Sequence, residues 1–269
     1  MLDVCRPSAA VKKNKHSEEA MEKNIARAAE AVKNAKCVIA LTGAGISVES
    51  GIPDFRSKGG LWSKYDPNIY ASISTFVREP EKCWEMIFET LELTIPAKPN
   101  PGHIALAQLE AGGKLDAIIT QNIDCLHTKA GSKNVIEFHG SGENLVCLKC
   151  DHKANMADYE ADRLAHKPPI CKCGAVMKPS IIFFGEAIPT DALHDSSRFT
   201  EQADVVLVVG TSAVVYPAAA IPMQAKRHGA FIIECNLEET GLSSGITDVF
   251  LKGKAGETLP ALAAAVLGA

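Results

Sequence analysis

Residues 37–45 are Cys37-Val38-Ile39-Ala40-Leu41-Thr42-Gly43-Ala44-Gly45, a short apolar run followed directly by a Gly-x-Gly turn. Apolar runs of this length that are rich in β-branched residues are typical of strands buried on both faces of a parallel sheet. Further runs of the same kind occur at residues 117–120, 135–138, 205–209, 231–235 and 248–251. The sequence therefore predicts a parallel sheet in which each run forms one strand.

Amphipathic segments separate these runs, and we expect them to be helical. They cover residues 21–34, 102–110, 217–227 and 257–267. Pro217 suits the first turn of its helix, because that position needs no backbone N–H donor. The alternation of strands and helices predicts an α/β fold, with a doubly wound parallel sheet of the Rossmann type.

Two stretches interrupt the alternation. Residues 57–101 combine a Gly-Gly pair, a helical segment around residues 83–93 and several prolines, and residues 144–183 contain four clustered cysteines. We expect both to be insertions, the first helical and adjoining the cofactor loop, the second binding a metal. The predicted organisation is a flexible tail at 1–20 and a Rossmann-type domain built from 21–56, 102–143 and 184–269, with the two insertions between its parts.

The composition excludes several classes of protein. Of the 269 residues, 46% are hydrophobic and 22% are charged, which is typical of a packed globular core. The net charge is −4 and no long basic stripe occurs, so we expect no direct binding to nucleic acid. The chain contains no apolar run long enough to span a membrane and no signal-peptide core, which favours a cytoplasmic protein. The oligomeric state is left open.

Four of the nine cysteines form two close pairs, Cys147-x-x-Cys150 and Cys171-x-Cys173. Two such pairs predict a structural tetrahedral zinc site, in which the ligands are Cys147, Cys150, Cys171 and Cys173. The second pair is one residue shorter than the common spacing, so His152 and His166 are alternative ligands. Free or redox-active thiols are the other interpretation. A site with four protein ligands has no open position, so we assign the zinc no catalytic role.

The Gly-x-Gly turn lets backbone N–H groups approach a pyrophosphate, although Val48 replaces the usual third glycine. An ordinary strand-to-helix turn is the alternative. The turn is followed by Asp54-Phe55-Arg56, in which the arginine could neutralise a phosphate and the aromatic ring could exclude water from a reacting sugar. A surface arginine and a core phenylalanine are the simpler interpretations.

Gly43-Ala44-Gly45-Ile46-Ser47, together with residues 51–56, resembles the NAD-binding signature of the sirtuins, the silent-information-regulator deacylases. Four further stretches resemble other signatures of that family and occur in the same order. They are residues 120–131, Phe138-His139-Gly140, Phe184-Gly185-Glu186 and Gly210-Thr211-Ser212. The resemblance extends over nearly the whole chain. It implies an NAD-dependent protein-lysine deacetylase, which transfers the acetyl group to ADP-ribose and releases nicotinamide and O-acetyl-ADP-ribose.

The resemblance also implies catalytic roles. His139 would be the general base that activates a ribose hydroxyl, and Asn122 would order a water and the ribose. Asp124, with the backbone of Ile123, would hold the nicotinamide carboxamide, and Phe55 would shield the reacting sugar. A structural histidine and ordinary turn chemistry are the simpler interpretations of His139 and of the Asn122–Asp124 segment.

Asn236 and Glu238 would hold the adenosine ribose, and Lys254 and Ala255 would lie along the adenine. An acidic residue at the ribose favours NAD over NADP. The complete set of residues implied to bind NAD is Gly43, Ala44, Gly45, Ser47, Asp54, Phe55, Arg56, Gln121, Asn122, Ile123, Asp124, Gly210, Thr211, Ser212, Asn236, Glu238 and Ala255.

The implied partner is an acetylated-lysine protein or peptide, bound as an added strand between two loops. The residues implied to bind it are Ile182, Phe184, Gly185, Glu186, Val214, Val215 and Tyr216. Ile182, Phe184 and Val214 would form the tunnel for the lysine stem, with a core role as the alternative. Sirtuins that prefer acidic acyl groups have a Tyr-x-x-Arg pair where this chain has residues 87–90, Ile-Phe-Glu-Thr. We therefore expect acetyl or a longer neutral acyl group.

Two other functions remain open at this point. One is NAD glycohydrolysis or ADP-ribosyl transfer, because other nucleophiles can capture the same sugar. The other is a non-catalytic sensor of NAD or ADP-ribose. The presence of His139, Asn122 and Asp124 together favours turnover.

Overall fold

The structure, a computed structural model, describes residues 9–55 and 59–268, with side chains described from Glu18 onward. The strands in chain order are β1 Val38–Thr42, β2 Ala117–Thr120, β3 Val135–Glu137, β4 Asn144–Val146, β5 Lys153–Asn155, β6 Lys178–Pro179, β7 Val205–Val209, β8 Phe231–Asn236 and β9 Val249–Lys252.

The helices are α1 Ala9–Asn34, α2 Pro67–Tyr70, α3 Ile73–Arg78, α4 Pro80–Thr94, α5 Pro101–Ala111, α6 Leu126–Lys129, α7 Glu160–Leu164, α8 Thr190–Gln202, α9 Ala220–Arg227 and α10 Ala255–Leu267. Short 3-10 helices cover Ala44–Ser50, Leu61–Ser63 and Met156–Tyr159. Within the described ranges, no helix is both long enough and apolar enough to cross a membrane.

Six strands form one parallel sheet in the order β3-β2-β1-β7-β8-β9. Every residue of β1 and β7 is buried, as the apolar runs predicted, because helices cover both faces of the sheet. Strands β2 and β3 lie on one side of β1, and β7, β8 and β9 lie on the other. This change in the direction in which strands are added opens a crevice beyond the carboxyl ends of β1 and β7. The predicted doubly wound α/β fold is confirmed.

The sheet has a separate apolar core on each face. On one face α1, α5 and α10 pack against the sheet through residues such as Val32, Leu106 and Leu262. On the other face α8 and α9 pack through Phe199 and Ile221. Each buried aliphatic side chain contributes about 1.5–3 kcal/mol through removal of its surface from water. These two cores hold the strand ends in place at the crevice.

A third core joins the two insertions to one another. It packs α4 residues, including Trp84 and Phe88, against Leu145 of the antiparallel sheet β5-β4-β6. The indole Nε1 of Trp84 donates a hydrogen bond to the carbonyl oxygen of Met177 at 3.0 Å. The helical insertion and the cysteine-bearing insertion therefore pack as one unit, although the sequence separates them.

The structure differs from the sequence predictions in several elements, among them the short strands β4, β5 and β6 and the short helices α6 and α7, which were not predicted. Residues 9–20, expected to belong to a flexible tail, lie within α1, and residues 1–8 lie outside the described residues. Pro217 precedes α9 instead of starting it, because residues 217–219 form a turn closed by a 3.0 Å bond from Ala220 N to Pro217 O. Helix α8 was not predicted, because few of its residues are apolar and its buried face includes Ser196 and Thr200.

Candidate active site

A cleft of about 860 Å³ lies beyond the carboxyl ends of the parallel strands and extends to the small unit formed by the two insertions. It brings together most residues implied to bind NAD, namely Gly43, Ala44, Gly45, Asp54, Phe55, Gln121, Asn122, Ile123, Gly210, Thr211, Ser212, Asn236, Glu238 and Ala255. It also brings in His139 and the implied peptide-binding residues Ile182, Phe184, Gly185, Glu186, Val215 and Tyr216.

Three of the remaining predicted residues, Ser47, Asp124 and Val214, do not line this cleft. Ser47 and Asp124 line a smaller cavity of about 30 Å³ that shares Ala44, Phe55 and Asn122 with the large cleft. Val214 does not line the cleft and is 57% exposed, so the structure does not place it in an apolar tunnel. Arg56 lies outside the described residues.

The glycine turn after β1 crosses the turn after β7 with the backbones in contact. Gly45 N donates to Gly210 O at 2.8 Å, and Gly43 N donates to Val209 O at 3.0 Å. A Cβ on Gly45 would lie 2.7 Å from Gly210 Cα, and Gly210 has a φ of +57°. Only glycine fits at both positions. The Gly-x-Gly pattern thus joins two strand ends closely enough to form the floor of the cleft.

A polar network surrounds the small cavity. Ser47 Oγ donates to Asp124 Oδ2 at 2.7 Å, and the Asn122 amide donates to Gly43 O at 3.1 Å and to Ser47 Oγ at 3.2 Å. The second carboxylate oxygen of Asp124 accepts the backbone N–H of Leu126 at 2.9 Å. The carboxylate is only 6% exposed. This arrangement keeps a buried, oriented carboxylate beside Asn122.

Two buried histidines behind this network were not assigned to the site from the sequence. His103 Nδ1 accepts the backbone N–H of Asn100 at 3.4 Å, so the proton is on Nε2, which lies 3.5 Å from Ser47 Oγ. Burial lowers the pKa of His103 to about 4, although the charge of Asp124 opposes the shift. The sequence contains one signal for the position of His103. Asn100 followed by Pro101 is typical of a helix start, which places His103 in the first turn of α5.

The second buried histidine, His127, is 2% exposed. Its Nε2 lies 2.9 Å from the Thr42 hydroxyl, at the end of β1. Burial, and to a smaller extent the neighbouring His103, lowers its pKa to about 3. Both histidines are therefore neutral at neutral pH.

His139 follows β3 and lines the cleft. Its Nδ1 lies 3.2 Å from the carbonyl oxygen of Gln121. Since a carbonyl only accepts hydrogen bonds, Nδ1 carries the proton and Nε2 keeps its lone pair. Burial lowers the pKa of His139, and the bond to Gln121 partly offsets that shift. The imidazole is thus neutral and able to accept a proton at neutral pH.

An aromatic cluster covers one side of the cleft. The rings of Phe55 and Trp62 lie 5.0 Å apart, and those of Trp62 and Phe184 lie 6.4 Å apart. Gly60 allows the chain to turn here, since a Cβ at that position would meet Asp54 O at 2.3 Å. No role for Trp62 was predicted from the sequence. The structure shows that Trp62 links the predicted sugar shield, Phe55, to the implied peptide loop.

The loop that contains Phe184 is held on both sides. Phe184 N donates to Ala71 O at 2.8 Å, and Ile73 N donates to Phe184 O at 3.1 Å. The Glu186 carboxylate accepts Phe183 N at 2.7 Å and Lys178 Nζ at 3.0 Å. Glu186 lines the cleft, but its carboxylate is already used to hold the loop in place.

Helix α4 forms the apolar end of the cleft through Met86, Ile87, Thr90 and Leu91. Glu89, one residue before Thr90, does not line the cleft. Its carboxylate instead accepts the Tyr65 hydroxyl at 2.8 Å and pairs with Lys64. Neutral side chains therefore surround this end of the cleft.

The four predicted zinc ligands form one cluster, with the sulfur atoms all within 4.8 Å of one another. The Sγ–Sγ distances are 3.5 Å for Cys147–Cys173 and 3.6 Å for Cys150–Cys171. Tetrahedral zinc, with Zn–S bonds of about 2.3 Å, requires sulfurs about 3.8 Å apart, so the residues fit the metal. Among the alternative ligands, His166 instead stacks on Phe88 with ring centroids 5.1 Å apart.

The short second cysteine pair closes through Gly174, which has a φ of +84° and donates its N–H to Cys171 O at 2.8 Å. The left-handed glycine turns the chain within one fewer residue than the common spacing. The reduced spacing is therefore compatible with the ligand geometry.

The sequence model of the Sir2 family matches residues 43–217. An NAD-dependent protein deacylase from Thermococcus kodakarensis is 44% identical over 242 residues, which cover 88% of this chain and 94% of the relative. An NAD-dependent protein deacylase from Pyrococcus furiosus is 48% identical over 229 residues, which cover 83% of this chain and 90% of the relative.

Solved structures give the same result. A Sir2 enzyme studied for its mechanism and regulation has a TM-score of 0.85 at 45% identity, covering 91% of this chain and 98% of its own. A Sir2 enzyme with a deacetylated p53 peptide and 3′-O-acetyl ADP ribose has a TM-score of 0.83 at 37% identity, covering 87% and 95%.

A third structure, Sir2Af2 with a myristoylated histone peptide, has a TM-score of 0.77 at 39% identity, covering 91% of this chain and 97% of its own. The family match includes the glycine turn, His139 and the cysteine cluster, and the relatives extend over most of the remaining chain. This chain belongs to the Sir2 family, the sirtuins.

Proposed function

We propose that this sirtuin is an NAD-dependent protein-lysine deacetylase that transfers the acetyl group from lysine to ADP-ribose and releases nicotinamide and O-acetyl-ADP-ribose. The observation that carries the proposal is His139, a neutral imidazole that lines the cleft with its Nδ1 proton bonded to Gln121. A sensor that only bound NAD would not need a base at this position.

NAD supplies an activated bond between ribose and nicotinamide, which breaks when the acyl-lysine oxygen attacks the ribose. Asp124 and the Ile123 backbone, at the small cavity, orient the carboxamide, and Asn122 orders the ribose. His139 Nε2 accepts a proton from a ribose hydroxyl, whose oxygen then bonds to the acyl carbon. The bond between that carbon and the lysine nitrogen breaks, free lysine leaves, and one water adds to give O-acetyl-ADP-ribose. Phe55 and Trp62 exclude water from the sugar.

The peptide adds as a strand between the Phe184–Glu186 loop and the segment that contains Val215 and Tyr216. Phe184 and Tyr216 are 44% and 68% exposed, so this surface is open to a partner. The acyl group faces the neutral end of the cleft at Ile87 and Thr90. Related enzymes have been solved with deacetylated and with myristoylated peptides, which supports acetyl and longer neutral acyl groups as substrates.

The four-cysteine cluster is the structural zinc site of this enzyme and supports the small unit that faces the cleft. Its four protein ligands leave no position for substrate, so no catalytic step passes through the metal.

The test is mass spectrometry of an acetyl-lysine peptide incubated with and without NAD, using the wild-type protein and His139→Ala. The control is His194→Ala, a histidine whose side chain is 76% exposed on α8. We expect NAD-dependent loss of the acetyl group in the wild type and the control, and a reduction of about a hundredfold or more in His139→Ala. NAD cleavage without deacetylation would support glycohydrolysis, and no reaction at all would support a sensor.

A further inference from the structure

Glu234 is a fully buried carboxylate that does not line the cleft. It lies on β8, next to the edge strand β9, and four side-chain donors surround it. Its Oε1 accepts the Asn236 amide at 3.3 Å and the Thr240 hydroxyl at 2.6 Å. Its Oε2 accepts the Ser243 hydroxyl at 2.6 Å and the Thr247 hydroxyl at 2.9 Å. Its described hydrogen-bond partners are thus three hydroxyls and an amide.

A charge without a cationic partner is costly to bury unless hydrogen bonds occupy its oxygens. Each carboxylate oxygen of Glu234 accepts two hydrogen bonds, so the buried carboxylate is stable only while the four donors stay in place. The three hydroxyls belong to residues 237–247, a segment of turns without helix or strand. A single carboxylate therefore fixes the position of a segment that has little regular structure of its own.

The hydroxyls also accept hydrogen bonds from the segment's own backbone. Thr240 N donates to Ser243 Oγ at 2.9 Å, and Leu242 N donates to the Thr240 hydroxyl at 3.1 Å. Donation to Glu234 and acceptance from the backbone together fix the Thr240 and Ser243 hydroxyls in one orientation. Any change at Glu234 is thereby transmitted to the backbone of the segment.

This segment forms one wall of the cleft through Leu237, Glu238, Glu239 and Thr240. Asn236, which Glu234 also holds, donates to the carbonyl oxygen of Thr211 at 3.1 Å, beside the glycine turn after β7. Glu234 is therefore connected to both sides of the part of the cleft that is assigned to adenosine. It bonds directly to Thr240 in the wall segment, and through Asn236 it is linked to Thr211.

We propose that Glu234 is a positioning residue for the adenosine half of NAD, which controls co-substrate affinity without touching the co-substrate. The inference rests on the proposed function for the placement of the adenosine ribose at Asn236 and Glu238. It predicts an effect on NAD that is separate from any effect on the acyl-peptide, because the hydrogen bonds of Glu234 go to none of the residues implied to bind the peptide.

The test compares Glu234→Gln, Ser243→Ala and Thr247→Val with the wild type. The readouts are the Kd of ADP-ribose by calorimetry, the KM for NAD, the KM for an acetyl-peptide, kcat and Tm. Neither Ser243 nor Thr247 lines the cleft. The control is Thr200→Val, which removes a hydroxyl that is 1% exposed and bonded to Ser196 O at 2.6 Å within α8.

We expect Glu234→Gln to weaken ADP-ribose binding and raise the KM for NAD by roughly tenfold, since hydrogen bonds to a buried charge are lost. The KM for the peptide and kcat should change by less than about twofold, because the peptide loops are not bonded to Glu234. Ser243→Ala and Thr247→Val should have smaller effects that are not additive with Glu234→Gln. The control should leave both NAD readouts unchanged.

An unchanged Kd for ADP-ribose in Glu234→Gln would overturn the inference. So would equal increases in both KM values alongside a lower Tm, which would show a purely structural role. If Glu234→Gln does not fold, Thr247→Val provides the same test. Calorimetry needs no turnover, so a wild-type protein that binds ADP-ribose without deacylating the peptide would refute the proposed function and still test this inference.

Discussion

His139 Nδ1 and the carbonyl oxygen of Gln121 lie 3.2 Å apart, and this contact joins the ends of two neighbouring strands, β2 and β3. It sets the tautomer of the imidazole and directs the basic nitrogen, Nε2, away from Gln121. Gln121 in turn donates from Nε2 to the Thr211 hydroxyl at 3.1 Å. The proposed base is therefore oriented by Gln121, which, like Thr211, lines the cleft.

The first prediction concerns pH. His139 acts only when it is unprotonated, so kcat/KM rises as pH increases through its pKa. Because burial lowers that pKa, the acid limb should have its midpoint below 6.5, the ordinary value for histidine. The measurement is kcat/KM for deacetylation as a function of pH, with Tm recorded at each pH to separate unfolding. An acid limb centred above 6.5 would contradict the role of His139.

The second prediction concerns Gly140, next to His139. It has a φ of +75°, and a Cβ there would lie 1.9 Å from the carbonyl oxygen of Ser180. Gly140→Ala should destabilise the protein by about 2 kcal/mol or more and lower kcat, since the backbone that carries His139 must shift. Gly131→Ala is the matched control, with a φ of +103° and open space around the Cβ. It should cost only about 1–2 kcal/mol in unfolding free energy, measured by denaturant titration.

The third prediction concerns acyl preference. Thr90 lines the neutral end of the cleft, so Thr90→Arg places a cation there. It should raise kcat/KM for a succinyl-peptide relative to an acetyl-peptide by about tenfold, through a charge-assisted hydrogen bond. The control is Glu85→Arg, on the exposed side of the same helix. If both variants changed the ratio equally, the acyl group would not lie at Thr90.

The fourth prediction concerns the metal. The protein should contain one zinc per chain, and Cys171→Ser should lose it, because a single hydroxyl replaces a thiolate ligand. The small unit should then lose stability, with a lower Tm and a higher KM for the peptide. Zinc content is measured by elemental analysis. Cys37→Ser, a change outside the cluster, should retain the full zinc content. Zinc bound normally by Cys171→Ser would show that Cys171 is not a ligand.

Local sequence patterns identified the six strands of the parallel sheet and the cysteine cluster because each depends on neighbours in the chain. The run of five buried residues in β7 has no alternating pattern, which only a strand covered on both faces allows. The four cysteines are brought together by one hairpin turn and one glycine turn, so their spacing was sufficient. Helix α8 was missed because its buried face includes hydroxyl side chains, which local periodicity does not mark as buried.

The roles of Glu186 and His103 required the tertiary structure. Glu186 lies in an implied substrate loop, but Lys178 and the Phe183 amide occupy its carboxylate. His103, on α5, reaches Ser47 across a separation of 56 residues. The sequence contains the residue types for these bonds but not the distances between them.

The sequence by itself determined the fold class and the clustering of the four cysteines, since these follow from short-range periodicity and spacing, and its ordered motifs carried the resemblance to the family. Only the tertiary structure decided which polar groups face the cleft and which hold its walls. Glu234 shows the reason: it lies within an apolar run, which suggests a plain strand residue, yet it accepts four hydrogen bonds from side chains up to 13 positions away. Its role depends on how the following segment folds back over β8, which no local pattern specifies.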